Sequence, residues 1–273
     1  MENEIRLENE FLLGTMIWSF SRLNSYYNCP YEWKLHYLEC NKGAESSFGQ
    51  FGSFCHKCLE MYAKGELDIT NISEYYEEHY CDEITVEFPY NKYVDMGISY
   101  YEKGLDYFNN MELDLSKYEI LGVEKEVRFK IDKYDLIGYI DLLLKEKDTG
   151  KIIILDHKSA SIKILKSGKI SKTDQAHFLE FKRQLYLYSK AVIAEYGNVD
   201  FLEWNMFKDQ KNIKIPWIKE EYEEALQWAE DTIHLIEDEI EWPPNVDYFY
   251  CNNLCGQRFN ACPYKNGGGG YEV

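Results

Sequence analysis

The sequence predicts an α/β protein in which helices flank one mixed β-sheet. Three observations carry this. Residues 19–112 read mainly as helices. Residues 118–157 read as three strands joined by short turns. A long amphipathic helix then precedes two more strands.

In chain order, Ser19 or Ser21 can cap a helix through "RLNSYYNCPYEWKLHYLEC", which Pro30 breaks or restarts. "FGSFCHKCLEMYAKGEL" is a second helix with a stop near Gly65, and residues 71–112 are mostly helical. "YEILGVEKEVRFKI", a turn near Asp132, "YDLIGYIDLLLK", a turn at "EKDTG" and "KIIILDHKSA" make an antiparallel meander. The helix from Thr173 to Tyr196 carries the apolar stripe Phe178, Phe181, Leu185, Tyr188 and Val192 and stops at Gly197. "NVDFLEWNMFK" and "NIKIPWIK" are strands, and Glu220–Glu239 is an acidic amphipathic helix. The tail "YCNNLCGQRFNACPYKNGGGG" is cysteine-rich and loop-like, and its glycine run reads as a flexible end.

The 273 residues, 45% of them hydrophobic, suffice for a substantial core in one large domain or two small ones, and a single domain spanning 1–273 is expected. No window approaches the ~18 uninterrupted apolar residues of a membrane helix, so no membrane association is expected. "MENEIRLENE" lacks the basic-then-apolar layout of a signal peptide, which points to the cytoplasm. Eight cysteines in a reducing compartment argue for metal binding or plain burial rather than disulfides. The net charge of -18 is unevenly spread. Lys219–Glu241 carries ten acids and one lysine, whereas His157–Arg183 carries seven basic residues against Asp174 and Glu180. Both can be solvated faces, but the basic segment directly follows an unusual strand end.

That strand end is "IILDHKSA". Ionised Asp156 and Lys158 are costly at the end of a buried strand unless partnered. A turn centred on Asp148–Thr149 pairs Asp141 with Asp156, and opposed side chains in an antiparallel pair lie roughly 4.5–5.5 Å apart at Cβ. A divalent cation would relieve the repulsion through oxygen ligands of the kind Mg or Mn prefers. Lys158 points to the same face as Asp156. A solvated strand end with an ordinary ion pair is the alternative. His56, on a helix after "FGSF", can supply a nitrogen ligand or be structural. Gln184 and Tyr188 are helix neighbours at i and i+4, and Tyr188 also fits core packing. Cys251, Cys255 and Cys262 have C-x3-C-x6-C spacing, and Cys29 lies far upstream. Four thiolates can hold a [4Fe–4S] cluster or zinc, with Cys40 as substitute for Cys29. Cys55 and Cys58 form a C-x-x-C that reads as core, with a redox or zinc role as the weaker option.

"GSFCHKCLE", "GYIDLLL", "LDHKSA" and "QLYLY", in this order, resemble the RecB-type branch of the PD-(D/E)XK nuclease superfamily. One cysteine before the core and three after it resemble that branch's iron–sulfur members, among them AddB-type subunits and CRISPR-adaptation exonucleases. The resemblance implies a restriction-endonuclease-like core with segments 19–45 and 245–265 joined as an iron–sulfur element. It implies metal ligation by His56, Asp141, Asp156 and the His157 backbone carbonyl. It makes Lys158 catalytic with Asp141 and Asp156, and has Gln184 and Tyr188 position DNA. Asp156 stands where many relatives have Glu. The expected activity is metal-dependent DNA hydrolysis, exonucleolytic on single strands or DNA ends, with Mg or Mn at the site and a structural [4Fe–4S] cluster. The alternative is a catalytically silent DNA-binding or adaptor module of a recombination, CRISPR or phage system. A protein partner supplying positive surface fits the acidic chain, with the acidic helix as a candidate docking face. Tyr26, Tyr27, Tyr31 and Trp33 can stack on bases or fill the core.

Overall fold

The computed structural model describes residues 10–259 and 262–264. The glycine run and residues 260, 261 and 265 of segment 245–265 lie outside them. Helices α1 (Phe20–Asn28), α2 (Pro30–Tyr37), α3 (Ser47–Ala63), α4 (Ile72–Glu83) and α5 (Met96–Asn109) precede strands β1 (Tyr118–Ile131), β2 (Tyr134–Glu146) and β3 (Ile152–His157). Then come α6 (Gln175–Tyr196), β4 (Phe201–Met206), β5 (Lys211–Pro216) and α7 (Lys219–Glu237).

Local chemistry sets these boundaries. Ser19 caps α1 by accepting the Arg22 N–H at 3.2 Å. Cys29 ends α1 and caps α2, whose first residue is Pro30, as the sequence predicts. The predicted helical run over 71–112 is interrupted at residues 84–95. Pro89 cannot donate to a helix ladder, and Asp95 starts a new helix by accepting the Ile98 N–H at 3.0 Å. Gly197 closes α6 with φ of +92°, the left-handed conformation that favours glycine. The tail is not wholly loop: Tyr250–Leu254 form a π-helical turn.

The sheet is mixed, in order β1-β2-β3-β4-β5. β2 and β3 pair antiparallel with Leu142 opposite Leu155, the predicted register, which leaves Asp141 and Asp156 at the next positions. β3 and β4 pair parallel, as the intervening α6 allows. All six β3 residues are buried, which explains its uninterrupted apolar character up to Asp156.

The chain forms two compact units. One comprises the described parts of 1–46, 129–137 and 226–273; the other comprises 47–128 and 138–225. In the first, Trp33 stacks on Trp242 at 5.3 Å between ring centroids, and its indole N–H donates to the Arg22 carbonyl. Tyr26 packs edge-on against both tryptophans and donates to Glu239, and Tyr27 stacks on Trp228. Tyr31 packs against Tyr264. All four aromatics offered as base-stacking or core residues are engaged in packing.

In the second unit, Phe51, Phe54, Cys55, Cys58 and Leu59 form the apolar face of α3 at 3,4 spacing. They pack with Tyr76, Phe108 and the sheet residues Leu142, Leu144, Ile153 and Leu155, which fixes α3 on the sheet. Tyr76 stacks on Phe54 and lies so close to Gly104 that an added Cβ would sit 2.2 Å from its hydroxyl oxygen. Gly104→Ala should therefore destabilise the protein. The gain in helix propensity, about 1 kcal/mol, is outweighed by an overpacking cost of about 1–3 kcal/mol or more. Thermal unfolding checks this, with a lower midpoint expected.

Candidate nuclease site

Three chain segments converge on one open groove of about 380 Å³, lined by Gly52, Ser53, His56, Lys57, Glu60, Glu124 and Asp141, with the β3 end next to Asp141. Helix α3 brings His56, β1 brings Glu124, and β2 and β3 bring Asp141 and Asp156. His56 Nδ1 lies 3.4 Å from Asp141 Oδ2, which also accepts the His157 N–H at 2.6 Å. One ligand atom each from His56, Glu124 and Asp141 fall within 4.8 Å of one another.

Asp156 is held differently. Its Oδ1 accepts from Gln184 Nε2 at 3.1 Å, and the Gln184 Oε1 accepts from Lys158 Nζ at 2.7 Å. Asp156 Oδ2 is buried with no aligned hydrogen-bond donor, although Lys158 Nζ lies 2.7 Å away. Gln184 thus bridges acid and lysine, and Lys158 also lies over the Phe181 ring of α6.

The electrostatics reflect a surplus of acid. Burial, then the Asp156 carboxylate, push the Asp141 carboxyl well above the usual range. Burial and Glu60 raise Glu124. Desolvation lowers the His56 imidazole, although part of its side chain reaches solvent, and the Asp156 charge partly offsets this. His157 itself points into the core, beside Asn205 at 2.9 Å, and complete burial keeps its imidazole neutral.

Burial, then the Asp156 charge, raise the Tyr188 hydroxyl, while the neighbouring Gln184 side chain and Tyr139 backbone lower it. Its ring lies against Gly138, where an added Cβ would be 2.1 Å from Cε1. This close approach explains the glycine of "GYIDLLL". Gly138→Ala should displace Tyr188, and with it Gln184; we expect a lower unfolding temperature and reduced activity, measurable on one preparation.

Sequence reasoning missed Glu124. Its φ of +47° breaks the in–out alternation of β1, so the pattern does not reveal which face it occupies. A non-glycine residue in this conformation carries about 1–3 kcal/mol of strain. The only available signal was an acid amid strand residues in "GVEKEV".

An imidazole and two clustered carboxylates, with Asp156 on the strand next to Asp141, form a hard, oxygen-rich donor set of the kind Mg or Mn accepts. The unaligned Asp156 oxygen and the raised Asp141 carboxyl are both relieved by a cation, so the residues fit one.

The cysteines divide clearly. Cys29, Cys251, Cys255 and Cys262 line one cavity with Glu32 and Tyr250. Cys29 Sγ accepts N–H groups from Glu32 and Asn245 at 3.5 and 3.4 Å, and Cys255 Sγ accepts from Gln257 at 3.3 Å. Backbone N–H groups thus point at two of the four sulfurs, a contact that metal-bound sulfur also accepts, while burial, then Glu32, push the Cys255 thiol up in the metal-free protein. Glu32 ties the segments together by accepting from Gly256 N–H and from the Tyr250 hydroxyl. Cys40 and Cys81 are exposed. Cys55 and Cys58 are buried, and burial pushes Cys58 up to about 12, so this pair is core rather than reactive.

The basic segment is only partly free. Lys182 and Arg183 pair with Glu221 and Glu224 of α7 at 2.5 Å each. The first turns of the acidic helix are therefore committed within the protein, which weakens the idea of a docking face.

The mixed sheet thus presents Asp141, Asp156 and Lys158 at its strand ends, beside His56 of α3. The chain belongs to the PD-(D/E)XK nuclease superfamily, whose model matches residues 17–266. Members of this family use divalent metals, and His56, Glu124 and Asp141 are grouped closely enough to hold one. In fold, it is similar to the crystal structure of a "putative exonuclease" from Eubacterium rectale, with a TM-score of 0.53 and 14% identity over 90% of this chain and 88% of that one. No curated protein matches the sequence. Among the described residues, no helix is long and apolar enough to cross a membrane.

Proposed function

We propose that the protein is a divalent-cation-dependent DNA nuclease that degrades single-stranded DNA or DNA ends exonucleolytically. The observation that carries this is Lys158, held by Asp156 and Gln184 beside the His56, Glu124 and Asp141 cluster. His56, Glu124, Asp141, Asp156 and the His157 carbonyl would hold the cation. Bound there, Mg or Mn supplies Lewis-acid polarisation of the phosphate and neutralises developing charge. Lys158 donates hydrogen bonds to the attacking water and to the phosphate oxygens, which stabilises the transition state more than the ground state. Gln184 keeps its ammonium aimed at the reacting phosphate, and Tyr188 supports Gln184. The neutral His56 keeps a nitrogen lone pair available for ligation.

The four cysteines around Glu32 suit a structural [4Fe–4S] cluster, or zinc, joining segments 19–45 and 245–265 within a single nuclease domain 1–273. Anaerobically purified protein should absorb visibly near 400 nm, and Cys251→Ser should lose that band; a colourless protein carrying stoichiometric zinc would exclude the cluster.

The net charge of -18 favours a silent adaptor, because it repels DNA at long range. The intact acid–lysine arrangement favours catalysis, with a partner protein as a source of positive surface and the cytoplasm as the setting. End-labelled linear and circular single strands incubated with Mg or Mn test the proposal. Stepwise loss of nucleotides from linear DNA, with circles spared, is the expected result.

A further inference from the structure

The segment between Lys158 and α6 is unlike the rest of the chain. His157–Thr173 contains five lysines and no acid, in a protein with 48 acids and 30 bases. It folds as an ordered hairpin. Ile164 and Ile170 form an antiparallel bridge, and Leu165 N–H donates to the Lys169 carbonyl at 2.8 Å. Gly168, with φ of +78°, makes the turn that β-branched or bulky residues resist.

Its base is pinned. Ile162 is buried, Lys163 N–H donates to Asp174 at 2.7 Å, and Ser161 donates to Asp209 at 2.8 Å. Lys163, Lys166, Lys169 and Lys172 are exposed, and no ion pair holds any of them among the described residues. Lys182 and Arg183, by contrast, are neutralised by α7. A loop that merely needed solvation would carry acids in so acidic a chain; this one concentrates unpaired cations.

We infer that the hairpin is an arm that grips the phosphates of a nucleic-acid strand whose reacting phosphate lies at Lys158. This inference rests on the nuclease reading for its placement. Chain continuity with Lys158 puts the arm where the strand must run, and four cations complement a row of phosphates. The arm also supplies a local positive field that the net charge does not. It is remote from the bond broken, so it acts on substrate length and salt dependence rather than on chemistry.

The test uses the triple variant Lys166→Glu, Lys169→Glu and Lys172→Glu and the milder Lys169→Gln. All sites are exposed, so folding should survive, and circular dichroism verifies it. Binding of a fluorescent 12-nucleotide oligothymidylate is measured in EDTA across a salt series. The slope of log affinity against log salt should flatten by about 2 in the triple variant and by about 0.7 in the single one, at ~0.7 per phosphate contact on single strands. Turnover of the p-nitrophenyl ester of thymidine 5′-monophosphate, too short to reach the arm, should be unchanged. Equal slopes and affinities for wild type and variants would overturn the arm, as would absence of oligonucleotide binding by wild type. Equal loss on the short ester would also overturn it by placing the lysines in the chemistry. If wild type hydrolyses neither substrate while the variants bind more weakly, the arm stands and the nuclease reading fails.

Discussion

Asp141→Asn is expected to abolish cleavage and at the same time to stabilise the metal-free protein. Loss of a ligand removes several kcal/mol of transition-state stabilisation, about 10³-fold or more in rate at 1.36 kcal/mol per decade. The stability effect follows from linkage. Burial and Asp156 raise the Asp141 carboxyl in the folded state above its unfolded value. Its contribution to stability is therefore fully present below the unfolded value, near pH 4, and is lost as pH rises through the raised folded value. At neutral pH the metal-free wild type carries this penalty, and the Asn variant does not, while the amide oxygen can still accept the His157 N–H. In EDTA at pH 7 the variant should melt higher, with the gap closing on acidification. Added Mg should raise the wild-type midpoint by several degrees, since 100-fold excess over Kd is worth about 2.7 kcal/mol, and should leave the variant unmoved.

Lys158→Ala should separate chemistry from cation binding. The ammonium lies 2.7 Å from both Asp156 and Gln184, so its loss removes a preorganised donor, about 10²–10³-fold in single-turnover rate. Its positive charge opposes that of a bound cation, so removing it makes the site more negative and should tighten divalent binding. The expected signature is an inactive protein whose Mg-induced thermal shift is retained or enlarged. Gln184→Ala should fall between the two, because Lys158 keeps its contact with Asp156.

Much of this was legible in the sequence because it depends on local patterns. Apolar β3, with polar groups only at its end, announced both a buried strand and a strained terminus. The register that places Asp141 next to Asp156 followed from a short turn whose length fixes pairing. Gly197 and Pro30 marked helix boundaries by backbone chemistry alone. What stayed hidden depends on tertiary placement. Glu124 joins the site through a left-handed kink inside β1, which no periodicity reports. The resemblance gives Gln184 a part in positioning DNA; that its amide also bridges Asp156 and Lys158 depends on the packing of α6 against the β3 end. The free basic surface also needed coordinates, since Lys182 and Arg183 look identical in sequence to the unpaired hairpin lysines but are neutralised by α7.

The most direct test of the central claim is single-turnover cleavage of end-labelled single-stranded DNA by wild type and Lys158→Ala, each in EDTA, Mg and Mn. The account predicts cleavage by wild type only with the cation and a rate at least about 10²-fold lower for the variant. Equal rates for the two proteins, or wild-type cleavage undiminished in EDTA, would contradict it.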